Sequence, residues 1–205
     1  MLARMIPTAS RLRLRAQLVP LLLLVCFLGC ATAREILALR QVEFRFDRLS
    51  DARIAGIHLD RIRSYDDVAP LDLARLTLAI ASKDVPLDLT VHVEGKNPQA
   101  NNVTARLIAM DWAYFIDERE SVSGRLSDAY SFPPGEPRDV PVVVSFNLVS
   151  FFGRDSRALL DTALALSGQR ASAHAVSLRI TPTVDTPVGP IRYPTPITLN
   201  LVAAR

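Results

Sequence analysis

Apolar and polar residues alternate one for one through most of the chain beyond residue 40, and this alternation limits the fold more than any other feature. Val42, Phe44 and Phe46 alternate with Glu43, Arg45 and Asp47. Ile57 and Leu59 alternate with His58 and Asp60. Leu87, Leu89, Val91 and Val93 alternate with Asp88, Thr90, His92 and Glu94. Further sets follow at Val142, Val144, Phe146 and Leu148, at Val176, Leu178 and Ile180, and at Ile197, Leu199 and Leu201. A period of two puts one face of each strand in a core and the other in water. Antiparallel sheets with one solvated face give this pattern, whereas buried parallel strands give continuous apolar runs.

Between Val103 and Ile116 the alternation changes phase. Val103, Ala105 and Leu107 point one way, and Ile108, Met110, Trp112, Tyr114 and Ile116 the other. A slip of one residue requires a bulge or bend near Leu107–Ile108, where a strand could cross between two sheets. Ser121 to Leu126 reads as the return strand. Two segments read as helices. One follows Pro70 and carries Leu71, Leu73, Ala74, Leu76, Leu78 and Ile80; proline near a helix start is favourable. The other runs from about Asp155 to Ser167, with Leu159, Leu160, Ala163 and Leu164 on one side and Gly168 as its C-cap. The remaining prolines, including Pro141 and Pro182, suit edges and turns. The pattern therefore predicts one mainly β domain, residues 39–205: an antiparallel β-sandwich with two short capping helices.

The first thirty residues predict an address. Arg4, Arg11, Arg13 and Arg15 precede an apolar run from Leu18 to Leu28, about a dozen residues and too short to span a bilayer. The run ends in Phe27-Leu28-Gly29-Cys30, which resembles a bacterial lipobox with Phe27 where Leu is preferred. That resemblance implies a signal peptide over residues 1–29, an acylated Cys30 as the new first residue, and a lipidated tether over 30–38. An ordinary secretory signal cleaved near Ala31-Thr32-Ala33 is the alternative. Ala31 follows the cysteine; the lipoprotein rule then favours the outer membrane, at its periplasmic face or the cell surface, in a Gram-negative host.

Removal of the signal changes the charge argument. The whole chain has 24 basic and 21 acidic residues, net +3. Four of the basic residues are the signal arginines and no acid precedes Cys30, so 20 basic residues face 21 acidic ones, a net of −1. Such a body does not read as a nucleic-acid binder. Cys26 and Cys30 are the only cysteines; with one removed and the other acylated, no internal disulfide is available and the core must hold the fold.

A longer resemblance runs through the middle of the chain. Pro86-Leu87-Asp88-Leu89-Thr90-Val91-His92-Val93 leads into Gly95-Lys96-Asn97-Pro98-Gln99, then come the strand to Ile116, Val122-Ser123-Gly124, and Asp139-Val140-Pro141-Val142-Val143-Val144. These segments resemble the type-2 late embryogenesis abundant (LEA) family, also called the WHy domain. Val85 to Leu148 matches well, with Gln99 replacing the second Asn of the usual Asn-Pro-Asn; a weaker match continues to Ala203. The resemblance implies an immunoglobulin- or fibronectin-like sandwich, with Asn97, Pro98, Gly124 and Pro141 as structural motif residues. It also implies stress- or desiccation-related roles, without catalytic residues or cofactors. Asn suits turn entry and Pro ends a strand, so Asn97-Pro98 reads as architecture.

The residues themselves offer little chemistry. His58, His92 and His174 fall on the polar phase of separate expected strands, without metal-ligand spacing. No Gly-x-Ser-x-Gly elbow or phosphate-cradling glycine loop is present. The acidic run Asp117, Glu118 and Glu120 lacks a calcium-loop framework and reads as a solvated hairpin end. Trp112 and Tyr114 read as core, with Phe115 on the opposite phase. Phe151 and Phe152, beside Leu159 and Leu160, read either as helix docking or as an apolar ligand surface. The expectation is a non-catalytic, lipid-anchored envelope protein acting by protection or binding. The alternatives are a carrier of lipid or another apolar ligand, and a structural scaffold in an envelope complex. A carrier requires an apolar cavity of several hundred Å³; a scaffold requires an exposed apolar patch. No cofactor is implied, the partners are the membrane and an apolar ligand or envelope protein, and the oligomeric state stays open.

Overall fold

A computed structural model describes residues 42–101, 103–185 and 189–202. Residues 1–41, and with them the expected signal peptide, Cys30 and the expected tether, lie outside the described residues, as do residues 186–188 and 203 of the weaker family match. The described chain forms two antiparallel sheets. The first contains β1 (Glu43–Ile54), β2 (Ile57–His58), β3 (Pro86–Lys96) and β7 (Pro137–Asn147), in the order β2-β1-β3-β7. The second follows the path β10-β8-β4-β5, formed by β4 (Ala105–Ile116), β5 (Arg119–Leu126), β8 (Val176–Val184) and β10 (Ile197–Val202). Two short strands complete it: β6 (Tyr130–Phe132) pairs with β4, and β9 (Ile191–Arg192) with β8.

The alternation explains how the sheets stack. Leu87, Leu89, Val91 and Val93 of β3 and Val140, Val142, Val144 and Phe146 of β7 are buried, while their neighbours of opposite phase are partly or fully exposed. Their facing partners include Leu107, Met110 and Tyr114 of β4, Leu178 and Ile180 of β8, and Leu199 of β10. β3 and β7 hold register without a slip from Pro86↔Asn147 to Lys96↔Pro137.

The phase change in β4 is a bulge between Leu107 and Ala109, measured against β8. The strand does not cross between sheets, contrary to the sequence expectation. It stays in one sheet and changes a neighbour: Ala105–Leu107 pair with β6, and Met110–Ile116 with β5. Pro182 also departs from expectation, lying in the inner strand β8. It falls between the last pair to β10, at Ile180, and the first to β9, at Thr183. Its missing N–H therefore coincides with a gap in the ladder.

Among the described residues three α-helices form where two were expected, besides a 3-10 turn at Tyr65–Asp67. α1 (Pro70–Ser82) starts with Pro70 at its first position and ends at Lys83, whose φ is 61°. α2 (Val149–Phe152) is a single turn made by the Phe151–Phe152 segment. α3 (Ser156–Leu166) starts at Asp155, whose Oδ1 accepts from the Ala158 N–H at 2.7 Å, and Gly168 follows it at φ 76°. The Asn147 side chain ties this end of the sandwich together. Its Nδ2 donates to Lys83 O at 2.8 Å, and its Oδ1 accepts from the N–H groups of Val85 and Val149, each at 3.1 Å. The helices thus collect where β3 begins and β7 ends. The described chain starts at the opposite end, where Glu43 pairs with Lys96.

Candidate functional site

A groove of about 530 Å³ lies on the outer face of the second sheet. Its lining includes Asp111, Ala113, Phe115, Ser123, Arg179 and Thr181. Phe115 points outward, as its phase requires, and the Arg179 guanidinium covers its ring at 4.0 Å from the centroid. Arg179 is itself held by Glu118. Asp111 accepts from Arg125 at 3.3 Å and lies 2.9 Å from Arg192. The charges here neutralise one another, and the groove is open to solvent. Gly124 lies in β5 opposite Trp112, within the segment read from the sequence as the return strand. A Cβ at Gly124 would come within 2.6 Å of the Trp112 ring, so the glycine makes room for the indole. The hairpin turn is Asp117–Glu118, both with positive φ of 48° and 61°.

Asn97 is fully buried at the end of β3. Its Nδ2 donates to Val103 O and to Phe132 O, each at 2.9 Å, and its Oδ1 accepts from Asn101 Nδ2. Its backbone oxygen accepts from the Gly135 N–H at 2.7 Å. The side chain therefore joins the end of β3 to the 98–103 loop and β6, and the backbone oxygen adds the segment after β6. Pro98 follows and its carbonyl accepts from the Asn101 N–H at 3.0 Å. Pro98 also borders a polar groove of about 270 Å³ with Glu43, Lys96, Gln99 and Gly135. Pro141 sits opposite His92 in the edge strand β7, where a missing donor costs no ladder bond.

At the helical end, Phe151 packs edge-on against Phe146 at 5.8 Å and lies under the Arg119 guanidinium at 4.4 Å. Phe152 lies 5.0 Å from the His174 ring. His174 is in the loop before β8, off any strand, and donates to Asp117, whose other oxygen accepts from the Ala175 N–H. The His174 hydrogen bond and the Ala175 N–H hold the Asp117 carboxyl below its ordinary pKa. Leu159 and Leu160 are closed into the core at 0% and 1% exposure. None of the three grooves described, the third being about 400 Å³ beside Gly168 and Arg170, is lined by Phe151, Phe152, Leu159 or Leu160.

His92 forms an arrangement that the sequence did not suggest. It is almost covered, and its Nδ1 donates to Asp139 Oδ2 at 2.7 Å while Nε2 lies 2.9 Å from Ser50 Oγ. The order Ser–His–Asp is that of a nucleophile relay. Here, however, the Ser50 hydroxyl already donates to Asp51 Oδ2 at 2.8 Å, and none of the three grooves reaches it. The network reads as a clip joining β1, β3 and β7. Alternation along each strand placed these residues on one face, but their pairing depends on β1 bulges between Phe46/Arg48 and Ser50/Arg53. His58 is exposed, and no group of three or more His, Cys, Asp or Glu among the described residues is arranged to hold a metal.

No protein-family model matches the chain. No curated protein matches it either. Solved structures of similar arrangement include a protein from Archaeoglobus fulgidus, 10% identical, covering 80% of this chain and 97% of its own at a TM-score of 0.35. A protein from Bordetella pertussis described as ApaA is 12% identical, covering 80% and 96%, at 0.37. A solution structure of a protein described as late embryogenesis abundant is 15% identical, covering 95% and 89%, at 0.37. Likeness at this level fixes neither family nor activity.

Proposed function

We propose that the chain is an exported, lipid-anchored envelope protein of the LEA type 2/WHy kind, without catalytic activity, which acts by protecting or binding at the membrane surface. The observation that carries this reading is Asn97. The Asn-Pro step central to the resemblance is a buried clamp, with its polar atoms spent on Val103, Phe132, Asn101 and Gly135. A motif used in this way builds a fold and brings no active site with it. The outer sheet faces support a hydrated surface role, since they carry cross-strand pairs such as Asp111–Arg125 and Ser145–Asp88. No described feature favours a carrier of apolar ligands, because Leu159 and Leu160 are closed into the core.

Acylation at Cys30 and Ala31 after it place the protein, on this reading, at the outer membrane of a Gram-negative host. The test is protection in the anchored state. Vesicles carrying the acylated protein and a trapped dye are dried and rehydrated beside vesicles carrying an unrelated lipoprotein. Lower leakage from the first set supports protection. Equal leakage rejects it and leaves binding as the role to pursue.

A further inference from the structure

The helix α1 is apolar on two sides. Leu73, Leu76 and Ile80 pack toward the core. Leu71 and Leu78 lie on the other side, 65% and 71% exposed. Seven residues of spacing puts them on one face, about 10 Å apart along the axis. Exposed Ala74 and Ala81 flank them on one side, and exposed Arg75 and Ser82 on the other. A single exposed leucine is ordinary, but two aligned on the outer face of a helix already docked by its inner face form a stripe that the core does not require. The only acid within α1, Asp72, is held by Arg75 at 3.1 Å, and Lys83 ends the helix. An apolar stripe whose one neighbouring acid is neutralised by Arg75, and whose helix ends at Lys83, suits the headgroup boundary of a bilayer.

We propose that this face of α1 rests on the bilayer to which Cys30 is anchored; the inference depends on the acylation reading above. Cys30 lies twelve residues before Val42, a reach of at most about 40 Å. Val42 is at the end of the sandwich away from α1, and the eleven residues of β3 between those ends span about 35 Å. The reach of the tether thus matches the length of the sandwich, so a domain anchored at Cys30 can turn the end bearing α1 to lipid. Two leucines hold a free domain weakly, but a tether converts the second contact into an intramolecular one at high effective concentration.

The experiment uses the acylated full-length protein carrying Leu78→Cys, with Thr77→Cys on the exposed flank of the same helix as its control and Leu71→Cys as a second reporter. Acylated Cys30 has no free thiol, so a fluorophore attaches at one place. The proteins are reconstituted in phosphatidylethanolamine–phosphatidylglycerol vesicles, and their intact masses are read first. The expected result is that the labels at 78 and 71 are quenched by nitroxide lipids and shielded from iodide roughly threefold or more relative to 77, as headgroup burial requires. Equal iodide access at 71, 77 and 78 in the acylated protein overturns the docking alone. Shielding that grows with protein density and ignores nitroxide lipids also overturns it, in favour of a second copy on the stripe. A mass without acyl groups overturns the anchor and the docking together.

Discussion

Tyr114 is the residue at which burial and chemistry disagree. It is fully buried in β4, its hydroxyl has no hydrogen-bond partner among the described residues, and burial pushes its pKa up. A buried unpartnered hydroxyl costs about 1–3 kcal/mol, so Tyr114→Phe is expected to raise stability by roughly 1 kcal/mol in denaturant unfolding. Asn97 is the opposite case. Asn97→Ala leaves the carbonyls of Val103 and Phe132 without this donor and is expected to cost about 2–4 kcal/mol in the same measurement. Acid response is also set by single residues. The Asp117 carboxyl is held low by His174 and the Ala175 N–H, and the Asp67 carboxyl by the N–H groups of Arg63 and Ser64. A carboxyl with a depressed folded pKa binds protons more readily when unfolded. Its contribution is present above about pH 4 and is lost as pH falls through the folded value. Asp117→Asn therefore lowers stability at pH 6 and flattens the fall below pH 4, measured as midpoint against pH.

At the scale of elements, the β4–β5 pair tests how closely strand chemistry fixes register. A Cβ at Gly124 meets the Trp112 ring at 2.6 Å, so Gly124→Val should destabilise by about 1–3 kcal/mol through overpacking. The same change should shift the emission of Trp112, the chain's one tryptophan. This pair also shows what was legible in the sequence. The slip at Leu107–Ile108 was visible because a period of two registers one extra residue at once. Its consequence was not visible: whether a bulged strand crosses sheets or changes neighbours depends on partners distant in sequence. Gly124 was legible as part of the return strand, but the close approach of the Trp112 ring to it was not, since that depends on the cross-strand pairing. The turn itself, Asp117–Glu118, has no glycine but was legible as an acidic, solvated hairpin end. The long helices were legible from spacing and caps. The short turn at Val149–Phe152 carries too few residues to show a period, and Asn147 gathers its partners from three elements.

At the scale of the molecule, the chain enters at one end of the sandwich and the helices close the other. That polarity organises the proposals: the sheets supply a charged and hydrated exterior, the core supplies stability, and the end bearing α1 supplies the exposed leucines. The grooves found have neither a free charge cluster nor an apolar interior, so the function proposed is one of surface and location. Location rests on Cys30, and the measurement that tests it most directly is the intact mass of the protein extracted from the membrane fraction of its host. The expected mass is that of a chain beginning at Cys30 and carrying acyl groups, with Cys30→Ala lacking them and leaving that fraction. A mature chain beginning near Ala33, unmodified and soluble, would contradict the lipid anchor and the proposals built on it.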